Sequence, residues 1–144
     1  MNPIKMNPLS SLLKDYGLRS TKFRLNLLEL FTNSDSSLTV EDIKQKIGKK
    51  NDKVTIYRAL DSFEKKGLIH QVPDQENLTR YALCLSECNA AKHIHNHAHF
   101  ICSVCSNTFC IENIKFPKIK DLNGFIIKNL ELTLKGNCPK CIKK

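Results

Sequence analysis

At 144 residues, with 41% apolar and 26% charged positions, the chain has room for one ordinary domain or two small ones around a real core, which excludes a disordered or fibrous protein. No run nears the ~18 apolar residues of a membrane span, and Met1–Pro8 holds no apolar h-region, so a cytoplasmic protein with no membrane association is expected. The net charge of +9 points to an anionic partner without locating it, because basic residues outnumber acidic ones 14 to 10 up to position 80 and 9 to 4 after it.

The first half reads as helices. Leu9, Leu12 and Leu13 start a short amphipathic segment that Gly17 stops, and Thr21 is placed to cap a second helix carrying Leu25, Leu28 and Phe31. Thr39-Val40-Glu41-Asp42 resembles a capping box with Asp in the usual Glu position; it opens a third helix with Ile43 and Ile47 on one face and Gly48 at its end. Asp52 caps a fourth helix, with Ile56, Leu60 and Phe63 as its buried stripe and Gly67 after its last turn. Two strands follow, Leu68 to Val72 and Thr79 to Leu83, joined by the polar turn 73–77.

Short helices followed by a hairpin describe a winged helix-turn-helix, with the fourth helix as the reader of a DNA groove. Its outward positions Lys53, Thr55, Tyr57 and Arg58 combine phosphate contact with base-edge hydrogen bonding. Any amphipathic helix also has a polar outer face, so the pattern alone leaves a solvated surface as the rival reading.

The second half has β-like runs at Ala98 to Cys102, Thr108 to Glu112 and Gly124 to Leu134, and Pro117 to Leu122 reads as one or two helical turns. It is expected to form a small α/β domain, giving a division into residues 1–84 and 85–144. The cysteine count is seven, an odd number, and no export signal precedes them, which favours metal ligation over disulfides. Cys102-x-x-Cys105 and Cys138-x-x-Cys141 are read as two knuckles that complete a closed tetrahedral zinc site, structural because no position stays open. A redox dithiol is the rival.

His93, His95, His97 and His99 alternate, so an extended strand puts all four imidazoles on one face, and Cys102 has the opposite parity. Imidazole with thiols from Cys84, Cys88 or Cys110 suits zinc better than iron or manganese. A surface histidine tract is the plainer alternative.

The order of winged helix, hinge, His-x-His-x-x-Cys-x-x-Cys and terminal Cys-x-x-Cys resembles the ferric uptake regulator superfamily. The resemblance is carried by residues 17–21 (Gly-Leu-Arg-Ser-Thr), 54–60 (Val-Thr-Ile-Tyr-Arg-Ala-Leu), 66–69 (Lys-Gly-Leu-Ile), 81–84 (Tyr-Ala-Leu-Cys) and 97–102 (His-Ala-His-Phe-Ile-Cys), and it covers roughly positions 9–142. It implies an α+β protein: an N-terminal winged helix and a small dimerisation domain with a structural zinc held by four cysteines, acting as a homodimeric, metal-dependent repressor on a palindromic double-stranded operator. It further implies minor-groove contact by Arg19, base contact by Tyr57 and phosphate contact by Arg58.

In zinc-responsive members the regulatory metal sits between the domains, and the matching positions here are His70, Cys84 and the His95–His99 run. Cys110 stands where an acidic residue is usual, which removes an oxygen ligand. Iron- and peroxide-sensing relatives take a histidine from the loop before the third helix, and here that loop, 35–38, has none. These residues favour a zinc-responsive regulator of metal uptake genes. The alternatives are an Fe²⁺ or Mn²⁺ regulatory site in an iron- or peroxide-responsive relative and, from other classes, a zinc enzyme or a zinc buffer. Cys88 and His93 are spare ligands, a second site or hinge residues. An enzyme is disfavoured: no His-Glu-x-x-His occurs, and no Glu lies within 88–111 to act as a general base.

Overall fold

In the computed structural model, residues 6–84 except 49, and 98–143 except 113, 121 and 129, are described. Four helices come first: α1 (Met6–Asp15), α2 (Lys22–Thr32), α3 (Val40–Ile47) and α4 (Lys53–Lys65), with a two-residue strand β1 (Leu38–Thr39) before α3. The expected caps form. Thr21 accepts from the Arg24 N–H, Asp52 accepts from the Thr55 N–H, and Thr39 and Asp42 satisfy each other's backbone N–H reciprocally. These bonds occupy donors that a helix start would otherwise leave unpaired.

After α4 the chain turns sharply. Gly67 takes a positive φ of 81°, and Leu68 N–H reaches back to the Phe63 carbonyl at 2.9 Å, a helix stop that favours glycine. The wing then forms from β2 (Ile69–Val72) and β3 (Arg80–Leu83), antiparallel, with β1 completing the sheet in the order β1-β3-β2. Leu13, Leu27, Leu28, Ile43, Ile56, Leu60 and Phe63 are fully buried between the helices and this sheet. Asp74 and Arg80 pair inside the wing turn with side chains 2% and 9% exposed. Burial raises the Asp74 pKa, but the Arg80 hydrogen bond and the Leu78 and Glu76 N–H groups outweigh it and hold the carboxyl below its usual range.

The second half contains β4 (Ala98–Cys102), β5 (Thr108–Ile111), β6 (Thr133–Gly136) and a terminal helical turn α5 (Pro139–Ile142). The sheet order is β5-β4-β6, with β4 antiparallel to β5 and parallel to β6. Gly136 lies so close to β4 that a Cβ there would meet the Phe100 ring at 3.2 Å.

Two expectations need correction. The strand expected over Gly124 to Leu134 forms only at Thr133–Gly136, since Phe125-Ile126-Ile127 find no partner strand among the described residues. The turns expected over Pro117 to Leu122 are absent at the described residues; Ile119 and Leu122 stay exposed, so no buried apolar face rewards so short a helix.

The halves touch directly. The Ser37 N–H donates to the Thr108 carbonyl at 2.9 Å, and the Thr108 hydroxyl, 1% exposed, donates to the Pro73 carbonyl at 2.7 Å. Lys140 and Asp35 form an exposed ion pair at 2.9 Å.

Candidate metal centres and nucleic-acid interface

Cys102, at the end of β4, and Cys105 meet Cys138 and Cys141 at the start of α5, with all four sulfurs within 4.8 Å of one another. The parallel β4–β6 pairing brings them together by setting Cys102 opposite Gly136, two residues before Cys138. Four sulfurs about 2.3 Å from a tetrahedral ion lie about 3.8 Å apart, and Cys105 Sγ and Cys138 Sγ are separated by 3.9 Å. The donor set therefore fits zinc. Backbone N–H groups, first that of Cys105 and then that of Cys138, pull the Cys102 thiol below its ordinary pKa, favouring the thiolate that binds metal. Hydrogen bonding to Cys138, followed by burial, pushes Cys141 up.

A second group joins the two halves. His70 of β2, His99 of β4 and Cys110 of β5 bring their donor atoms within 4.8 Å of one another. His99 and Cys110 are direct cross-strand partners, so the sheet register alone pairs them. His70, 4% exposed, reaches them from the wing: its Nε2 lies 3.4 Å from His99 Nε2 and 3.6 Å from Cys110 Sγ. Nitrogens at about 2.0–2.1 Å and a sulfur at about 2.3 Å from a tetrahedral ion would stand about 3.3 Å (N to N) and 3.6 Å (N to S) apart. This set fits zinc too. Burial, with the Glu112 charge adding to it, pushes the Cys110 thiol up to about 12, so its coordination must release a proton.

Cys84 Sγ lies 3.4 Å from Nδ1 of His70, on the other side of the ring. Cys88, His93, His95 and His97 lie outside the described residues.

Arg19, Lys53, Thr55, Tyr57 and Arg58 are all exposed, Tyr57 to 50%. The residue that sequence reasoning passed over is Val54, 58% exposed beside them at the start of α4. Its exposure is the signal, since an apolar side chain turned outward at a helix start can meet a thymine methyl; from sequence it reads as one more apolar position.

A sequence profile described as the ferric uptake regulator family matches residues 15–136. A ferric uptake regulation protein of Bordetella parapertussis is 31% identical over 140 residues, covering 91% of this chain and 94% of that protein. The fold is similar to that of a zinc uptake regulator complexed with zinc and DNA, at TM-score 0.64 and 21% identity, covering 96% of this chain and 93% of that one. It is also similar to a ferric uptake regulator from Francisella tularensis with iron, at TM-score 0.60 and 25% identity, covering 88% and 96%. Among the described residues no helix is long and apolar enough to cross a membrane.

Proposed function

This chain belongs to the ferric uptake regulator family of metal-responsive transcription regulators, and from that premise we propose that it is a zinc-responsive repressor whose switch is the His70–His99–Cys110 cluster. The observation that carries the reading is the donor set itself: among the described residues, two imidazoles and a thiol at the spacing of tetrahedral zinc. Zinc bound there would supply a bond holding the wing's β2 against the β4–β5 pair.

Every other part of the switch belongs to the chain. The Ser37–Thr108 and Thr108–Pro73 hydrogen bonds seat β5 against both the loop before β1 and the wing turn. Closing the halves on one another would fix the direction in which α4 presents its exposed Lys53, Thr55, Tyr57 and Arg58. We place the division at residues 1–84 and 85–144, with the four-cysteine cluster as the structural zinc site of the second part. Phe125 and Ile126, 81% and 87% exposed, support a homodimer that covers them. Its two recognition helices would then meet palindromic half-sites about one DNA turn apart.

The experiment is fluorescence anisotropy on a duplex selected from random sequence, titrated at buffered free Zn²⁺, Fe²⁺ and Mn²⁺. Zinc should raise affinity, while the other two do so only at higher free concentrations. Tyr57→Ala should lose ~1–3 kcal/mol of discrimination against random DNA. Tightening by Fe²⁺ but not Zn²⁺ would contradict the zinc reading.

A further inference from the structure

The first turn of α4 is built against helix stability. Its residues are Lys53, Val54 and Thr55, with no acidic side chain among them. A lysine opposes the positive end of the helix dipole there, and two β-branched residues follow where straight-chain ones form helix better. The start of α3 shows the ordinary solution: Glu41 and Asp42 occupy its first turn, and Asp42 closes the capping box. At α4 the start rests on the Asp52 cap, whose carboxylate accepts from the Thr55 N–H at 2.8 Å. Packing does not explain the choice either. Val54 is 58% exposed and Thr55 is exposed too, while the next residue, Ile56, is fully buried.

Tyr57, 50% exposed, lies three residues beyond Val54 and Arg58 lies four, so the three side chains share one strip of the helix surface. The Lys53 ammonium is 3.7 Å from the Glu41 carboxylate of α3. The strip therefore begins with valine methyl groups, which neither donate nor accept a hydrogen bond. In a DNA major groove the base feature that rewards such a group is the thymine C5 methyl. We propose that Val54 is a specificity residue that packs on a thymine methyl in each half-site, the first turn of α4 having given up helix stability for that contact. This rests on α4 being the reader. Burying one methyl-sized group changes affinity about fourfold, which sets the size of the effect.

The test uses full-length protein with its metal sites filled by zinc, and a duplex selected from random sequence in which each dT is replaced in turn by dU. That exchange removes the methyl alone. Fluorescence anisotropy gives the affinities of wild type and Val54→Ala. Wild type should weaken about fourfold at one thymine of each half-site. Val54→Ala should be insensitive at that thymine while keeping wild-type sensitivity at any other. It should also melt no lower than wild type, because alanine is the better helix former and the side chain is exposed. A duplex with no methyl-dependent thymine, a Val54→Ala protein with the wild-type pattern of sensitivity, or one that melts lower would each overturn the assignment while leaving α4 as the reader. Unchanged operator affinity in both Tyr57→Ala and Arg58→Ala would instead take α4 off the DNA, and this inference with it.

Discussion

The four-cysteine cluster draws every donor from residues 102–141, whereas the second cluster joins His70 to partners 29 and 40 residues away in another sheet. The first closes within one half of the chain, so metal there stabilises that half and has no direct hold on the wing. The second reaches across both halves, so a metal bound there would have an occupancy that depends on how they sit, and by linkage their arrangement would depend on that occupancy. On the proposed reading, similar donor chemistry would serve as a staple in one place and as a sensor in the other because of where the donors come from.

Removing a thiol from the first cluster should have the largest effect. Structural zinc in small domains is worth about 10–16 kcal/mol of apparent binding energy, so Cys138→Ser is expected to unfold the β4–β5–β6 sheet while α1–α4 keep their core. Amide exchange should show protection lost after residue 98 and retained in the helices; full protection throughout would break the distinction.

Asp74→Ala attacks the wing instead. It leaves the Arg80 guanidinium buried and without its partner, at about 3–5 kcal/mol. Chemical denaturation should register that loss, and zinc affinity at the second cluster should fall while the four-cysteine cluster holds its metal.

Much of this arrangement is legible in sequence wherever the signal is local. Thr21, the Thr39–Asp42 box, Asp52 and Gly67 each act on backbone within five residues, and each marks the end of its helix where expected. The failures are long-range. Strand β1 is two residues long and exists only because the Arg80–Tyr81 edge is there to pair with it. Phe125-Ile126-Ile127 looks like a strand by composition, yet the ladder forms at Thr133–Gly136, where parallel pairing with β4 returns Cys138 to Cys102. The family resemblance groups His70, Cys84 and Cys110, but no spacing could reveal that Cys84 and Cys110 lie on opposite sides of one imidazole.

A smaller change sharpens the coupling between the halves. Thr108→Val keeps the side-chain volume but leaves the Pro73 carbonyl without its 2.7 Å donor, at about 1–3 kcal/mol. Thermal unfolding should show that loss, together with weaker zinc-dependent DNA binding and an unchanged zinc content at the four cysteines. Smallest of all is the proton linkage. With the Cys110 thiol pushed up to about 12 by burial, each zinc entering the second cluster would release that thiol proton. Affinity there should rise about tenfold from pH 7 to pH 8 and fall by the same factor on the return; chelator competition at the two pH values measures it.

The central claim is that the second cluster, and not the first, drives DNA binding. Its most direct test is operator affinity across buffered free zinc for wild type and Cys110→Ala, both carrying zinc in the four-cysteine cluster. Wild type should tighten by roughly 5–150-fold, the usual scale of such coupling, while Cys110→Ala stays folded and flat across the same range. A Cys110→Ala protein that tightens on its operator as fully as wild type does would contradict the account.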